Sequence, residues 1–168
     1  MEHEGESGLR TIWVLRHAQA QAEGSSADLD RRLTAHGEAQ ASSLANAVAT
    51  SPELSSLTYP SMGLISAAQR TLRTAQLAFP DLALRDERRT YYQAGVDDWV
   101  DALRSCGEDH VLVVGHNPTV ANLVSWLSDE EVGAYPPCSL TVLGCSEPLA
   151  GLARGSCEVL ARWRAPRG

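Results

Sequence analysis

The chain has 168 residues, 43% of them apolar and 21% charged, which describes a globular protein long enough to bury a core of its own. A formal net charge of −7 disfavours nucleic acid and anionic membrane surfaces as partners. All 14 basic side chains are arginines, the better fork for phosphate or carboxylate.

Met1 to Arg10 is polar and acidic, has no signal-peptide apolar core, and reads as a flexible tail. No apolar run approaches membrane-spanning length, so a cytoplasmic protein is expected. Cys106, Cys138, Cys145 and Cys157 show no C-x-x-C spacing and no histidine at zinc-ligand spacing. Buried free thiols and no metal site are the expectation.

The run Thr11-Ile12-Trp13-Val14-Leu15 reads as a strand buried on both faces, and it delivers Arg16-His17 at its end. Ala18 to Asp30 reads as a loop. Thr34 then caps a helix whose apolar stripe is Ala41, Leu44, Ala45 and Val48, stopped by Ser51-Pro52. A second strand falls within Leu57 to Ser66, strongest at Met62 to Ile65. The helix after it carries Ala68, Leu72, Ala75 and Phe79 on one face, with Pro80 beyond. Arg70 lies in its first turn, where a cation opposes the macrodipole, so a bound anion explains it better than helix charge balance.

Periodicity fades from Asp81 to Asp98, with Leu82-Ala83-Leu84 as a candidate short strand. Trp99, Val100, Leu103 and Cys106 mark a brief helix. His110 to Gly115 is the clearest strand, followed by His116-Asn117-Pro118 with Pro118 at helix position N1. Val120, Leu123, Val124 and Leu127 supply the buried face of that helix. After a loop from Asp129 to Pro137, Leu140 to Leu143 and Cys157 to Trp163 read as a closing hairpin. There is no repeat or linker, so one domain over 1–168 is expected.

The expected architecture is α/β: a single-domain three-layer sandwich, a mostly parallel central sheet with helices on both faces and no large cap insertion. In such a sheet the strand-to-helix junctions converge on one edge. Arg16, His17, Arg70 and His116 all occupy such junctions. Cationic groups gathered in a partly dry site call for an anion, and phosphate suits arginine forks and helix N-termini.

These residues resemble the histidine phosphatase superfamily, also called phosphoglycerate-mutase-like. The resemblance rests on Leu15-Arg16-His17-Ala18, on Leu33 to Ala41, on Ser66 to Ala75 with its Arg70, and on Gly115-His116-Asn117-Pro118, in family order from about Thr11 to Leu127. The Arg-His-Ala variant, the Gly-His-Asn-Pro form and the short chain are most similar to the SixA branch of phosphohistidine phosphatases. That resemblance implies a hydrolase in which His17 is the nucleophile and Arg16, Arg70 and His116 hold the phosphoryl oxygens. It implies no cofactor and no metal. The substrate would be a phosphorylated protein bearing phosphohistidine, or else a small phosphorylated molecule, with inorganic phosphate released. A catalytically silent phosphate-binding relative is the other alternative, and a mutase is disfavoured. A monomer is expected. Only Pro80 to Asp109 separates the Arg70 helix from the last motif strand, which implies an open, shallow site.

Many members of the family carry a glutamate as general acid. Arg88 to Ala94, where it is expected, holds no carboxylate; Glu87 is the nearest weak candidate, and the acid is otherwise unknown.

Overall fold

The structure, a computed structural model, describes residues 8–166. In chain order the elements are β1 (Arg10–Arg16), α1 (Ala35–Thr50), α2 (Pro52–Ser55), β2 (Met62–Ser66), α3 (Gln69–Ala78), β3 (Leu84–Arg88), α4 (Val96–Ser105), β4 (His110–Gly115), α5 (Thr119–Ser128), β5 (Leu140–Cys145) and β6 (Cys157–Trp163). Short 3-10 turns at Asp28–Asp30, Arg89–Gln93 and Leu149–Gly151 interrupt the connections.

The strands form one six-stranded sheet in the order β3-β2-β4-β1-β5-β6. β3, β2, β4 and β1 pair in parallel; β5 and β6 add antiparallel strands at the far edge. Both faces are covered. Along β1, Trp13 and Leu15 face the cluster built with Ala41 and Leu44 of α1 and Ala75 of α3. Ile12 and Val14 face the one built with Trp99 and Leu103 of α4 and Leu123 and Val124 of α5. This period-two split is why β1 and β4 read as unbroken apolar runs. The expected three-layer, mostly parallel α/β architecture is the observed one, and no cap domain is inserted between α3 and β4.

Register sets the site. Arg16 is opposite Gly115, and Ile65 is opposite Val114, so the carboxyl ends of β1, β2 and β4 finish level with one another. Thr34 caps α1, accepting from the Gly37 amide at 3.0 Å. Gly37 is required there, because a Cβ would fall 2.0 Å from the Gln19 carbonyl oxygen. That close approach fixes the start of the loop following His17.

Four expectations need correction. Arg10 belongs to β1 rather than to a tail, and residues 1–7 of that proposed tail lie outside the described residues. The third strand is Leu84–Arg88, not 82–84; an exposed edge strand of charged residues carries no apolar alternation to betray it. Pro118 precedes the first residue of α5 instead of occupying N1. Cys145 and Cys157 are not free thiols. They face each other in register across β5 and β6, with Cα atoms 4.6 Å apart, and form a disulfide. Cys106 and Cys138 are free, as expected. No helix among the described residues is long and apolar enough to cross a membrane.

Candidate active site

His17 follows β1 directly and continues its backbone bonding, its amide donating to Gly115 O at 3.2 Å and its carbonyl accepting from Cys138 N at 2.9 Å. The side chain is only 7% exposed. Its Nδ1 lies 2.7 Å from the Ala18 carbonyl oxygen. A carbonyl only accepts, so Nδ1 carries the proton and Nε2 keeps its lone pair. Burial, reinforced by His116, Arg16 and Arg70 and only partly opposed by the Ala18 bond, pushes the imidazole pKa down to about 3. The ring is neutral at physiological pH and presents a nucleophilic nitrogen.

The His116 ring centroid is 5.5 Å from that of His17. Gly115 lets the turn into α5 close: a Cβ there would meet Val120 at 2.9 Å and Trp99 at 3.2 Å. His116 Nε2 pairs with Ser66 Oγ at 2.8 Å, while its buried Nδ1 has no partner among the described residues. When Ser66 donates to Nε2, Nδ1 becomes the protonated nitrogen, free to donate to an anion. Burial and the neighbouring Arg70 lower the His116 pKa to about 4.

Arg16, at the end of β1, donates through Nη1 to the Tyr135 carbonyl at 3.0 Å. Tyr135 is anchored in turn, its hydroxyl donating to Val14 O at 2.7 Å. Arg70 is 4% exposed. Its Nη1 donates to the Asp28 carbonyl at 2.7 Å and its Nη2 to Asp28 Oδ2 at 3.0 Å. Burial and Arg70 together depress the Arg16 pKa, as expected of two guanidiniums sharing a half-dry pocket. The Nε–H groups of both arginines are buried without an acceptor among the described residues.

The four residues singled out from sequence therefore meet at the level carboxyl ends of β1, β2 and β4. Contrary to expectation, they do not need an external anion to pack together. Both histidines are neutral, and the buried Arg70 already has an intramolecular anion in Asp28. Nor is the site as open as expected, since His17 and Arg70 are nearly covered. Glu87 lies on the edge strand, its Oε2 accepting from Arg85 Nε at 2.6 Å, and no hydrogen bond joins it to the site residues among those described.

Sequence reading missed Asp28, Ser66, Tyr92 and Tyr135. Asp28 Oδ1 also accepts from Arg31 Nε at 2.9 Å, and Oδ2 accepts from the Tyr92 hydroxyl. The Tyr92 ring stands edge-on to His116 at 5.4 Å. Tyr92 sits within the very stretch searched for a glutamate, where it offers a phenol in place of a carboxyl. Among the described residues no group of three or more His, Cys, Asp or Glu is arranged to hold a metal.

Residues 12–90 match the family model of the histidine phosphatase superfamily (branch 1). Over that segment, a little under half of its length, the chain is thus similar to the histidine phosphatase superfamily, and the ordered motif residues fall within it or beyond its end. A protein assigned as phosphohistidine phosphatase SixA from Nakamurella multipartitia superposes with a TM-score of 0.78 at 24% identity, covering 94% of this chain and 96% of its own. The protein histidine phosphatase SixA complexed with tungstate gives 0.74 at 20% identity, covering 92% and 96%. A mycobacterial glucosyl-3-phosphoglycerate phosphatase gives 0.66 at 17% identity, covering 94% and 100%. The comparison with curated proteins finds no match.

Proposed function

We propose that this chain is a phosphatase that works through a phosphohistidine intermediate on His17, and that its substrate class is protein phosphohistidine. One observation carries the reading: Ala18 fixes the proton on His17 Nδ1, leaving a neutral Nε2 nucleophile beside Arg16, Arg70 and His116. Nε2 attacks phosphorus, and the bond to the leaving atom breaks with its electron pair departing on that atom. His17 becomes an N-phosphorylated imidazolium that keeps its Nδ1–H on Ala18. Water then attacks phosphorus, the P–N bond breaks, and the pair returns to Nε2, regenerating neutral His17. The unpaired Nε–H donors of Arg16 and Arg70 and Nδ1 of His116 suit the equatorial oxygens, where charge is spread in the transition state.

The preference for phosphohistidine follows from charge balance. A phosphoimidazole protonated on its far ring nitrogen leaves as neutral imidazole, so no acid is needed. The SixA structures that share the fold support this branch, as does the tungstate bound by one of them, since tungstate is a phosphate-like oxyanion. The mycobacterial phosphatase of a small phosphoester on the same fold keeps a metabolite phosphatase as the second reading.

The test is turnover of a phosphohistidine-bearing protein and of an aryl phosphate by wild type and His17→Ala. Wild type is expected to hydrolyse both and to yield acid-labile, base-stable phosphate on quenching. His17→Ala is expected to lose essentially all turnover and all of the trapped label. Substantial activity in the variant removes the mechanism, and activity confined to small phosphoesters removes the substrate class.

A further inference from the structure

The carboxylate of Asp28 joins three separate segments: the connection between β1 and α1, the first turn of α3 through Arg70, and the 3-10 turn after β3 through Tyr92. Its loop is braced from within. Arg31 spans Asp28 Oδ1 and the Gln21 carbonyl, the latter at 2.7 Å, and the Gln21 amide donates to Arg32 O at 2.8 Å. Asp28 is thus held in place independently of Arg70. The reverse does not hold: Arg70 forms one ion pair among the described residues, and that is with Asp28.

A guanidinium has five N–H donors. Asp28 takes two of Arg70's, one with its main-chain carbonyl and one with its carboxylate. The others, including the buried Nε–H, have no acceptor among the described residues. An intramolecular stand-in for substrate would be expected to occupy the whole fork with groups that an incoming anion can expel. Here one of the two acceptors is a backbone carbonyl, and most donors remain unspent.

We propose that Asp28 is the positioning residue of the phosphate-binding site: it fixes the guanidinium of Arg70 from behind, so that the unspent donors are presented to the phosphoryl group at His17. It also holds Tyr92 as a wall against His116. The proposal rests on the reading of this site as a phosphoryl-transfer centre. A buried arginine without its carboxylate is an uncompensated charge that reorients towards water. A small misplacement of such a clamp is felt mostly in binding of the transferring group. The hydrogen bond from Tyr92, with Arg70 and Arg31, holds the Asp28 carboxyl well below the usual carboxylate range, so it stays an anion throughout the cycle.

The experiment measures kcat and KM for an aryl phosphate, the inhibition constant for vanadate, and Tm, in wild type, Asp28→Asn, Asp28→Glu and Tyr92→Phe. Asp28→Asn keeps the size and the backbone carbonyl and removes the charge. It is expected to lower kcat/KM by about 10–100-fold and to weaken vanadate by at least about tenfold, with Asp28→Glu recovering part of both. Tyr92→Phe removes one bond to Asp28 and leaves both Arg70–Asp28 bonds in place, and is expected to weaken vanadate about two- to fivefold at unchanged Tm. Tyr92→Phe therefore decides the matter if Asp28→Asn does not fold. Tighter vanadate binding in Asp28→Asn would mean that the carboxylate competes with substrate, and overturns the proposal. So does an unchanged vanadate constant, or lost activity that tracks only lost folded protein. A wild type that neither turns over the aryl phosphate nor binds vanadate overturns the proposed function and this inference with it; an active wild type with insensitive variants overturns this inference alone.

Discussion

Ser66 Oγ lies 2.8 Å from Nε2 of His116, joining the ends of β2 and β4 through one buried and one half-buried side chain. Ser66 is itself fully buried. The hydroxyl can hold the imidazole in one tautomer, the role a backbone carbonyl plays for His17. Ser66→Ala leaves both His116 nitrogens without a protein partner, and is expected to destabilise the fold by about 1 kcal/mol and to lower kcat about tenfold. Ser66→Thr, which restores a hydroxyl, is expected to recover part of the rate. Steady-state kinetics beside thermal melts check this; an unchanged kcat in Ser66→Ala would show that the pair only packs.

The neutral histidines make stability depend on pH. Unfolded, each imidazole takes up a proton near its ordinary value of about 6.5. Folded, His17 does so at about 3 and His116 at about 4. Between those limits the unfolded chain binds more protons, so stability is full above pH 6.5 and declines as pH falls from there, through about 4 for the His116 contribution and about 3 for that of His17. Tm of the phosphate-free protein is therefore expected to drop across that window, and less so in His17→Asn. Ring NMR signals of His17 and His116 are expected not to titrate between pH 5 and 8. A midpoint near 6.5 for either ring contradicts its desolvated setting.

The disulfide at the far sheet edge is separable from the chemistry. Cys145 and Cys157 close a 12-residue separation between β5 and β6, remote from the carboxyl ends of β2 and β4. Reduction, or the double change Cys145→Ala and Cys157→Ala, is expected to cost about 2–3 kcal/mol through the freed unfolded chain. Turnover below the melting range should hold within about twofold. Chemical denaturation with and without reductant measures the first, and an aryl phosphate assay the second.

What could be read from the sequence follows from where each residue's partners lie. β1 and β4 announce themselves because their central runs, Ile12 to Leu15 and Val111 to Val114, are unbroken apolar residues buried on both faces of the sheet. β3 does not, since an edge strand of Leu84, Arg85, Asp86, Glu87 and Arg88 is mostly exposed and shows no period. Arg70 was legible as a cation misplaced at a helix start, a local conflict that asks for an anion. The anion that answers it in the fold is Asp28, 42 residues away on a surface loop, and nothing local distinguishes it from a solvated carboxylate. Ser66 gives no signal either, a hydroxyl at a strand end being commonplace. The pairing of Cys145 with Cys157 depends on the register of a hairpin, which its long connection leaves undetermined.

The last prediction concerns the leaving group. Of the carboxylates near the site, Glu87 is tied to Arg85 on the edge strand, and Asp28 is held as an anion by Tyr92, Arg70 and Arg31. Neither is placed to give up a proton. The conjugate acid of imidazole has a pKa of roughly 6.5, so a phosphoimidazole leaves without help near neutrality. An alkoxide is far more basic, and a proton donor in its transition state contributes about 10²–10⁴-fold. Catalysis resting on His17, the arginines and His116 alone should therefore fall steeply with leaving-group basicity. The expected order of kcat/KM is phosphoimidazole, then aryl phosphates ranked by phenol acidity, then alkyl phosphates, the last lower by about the factor an acid would have supplied. Glu87→Gln is expected to leave every value unchanged within about twofold. A series of aryl and alkyl phosphates assayed beside phosphoimidazole gives the slope directly. A flat slope would mean that a group in the site does deliver a proton. Tyr92 would then be the first candidate, because its phenol stands edge-on to His116 and the bond to Asp28, more than burial, raises its pKa and keeps it protonated; the Tyr92→Phe variant should in that case steepen the slope.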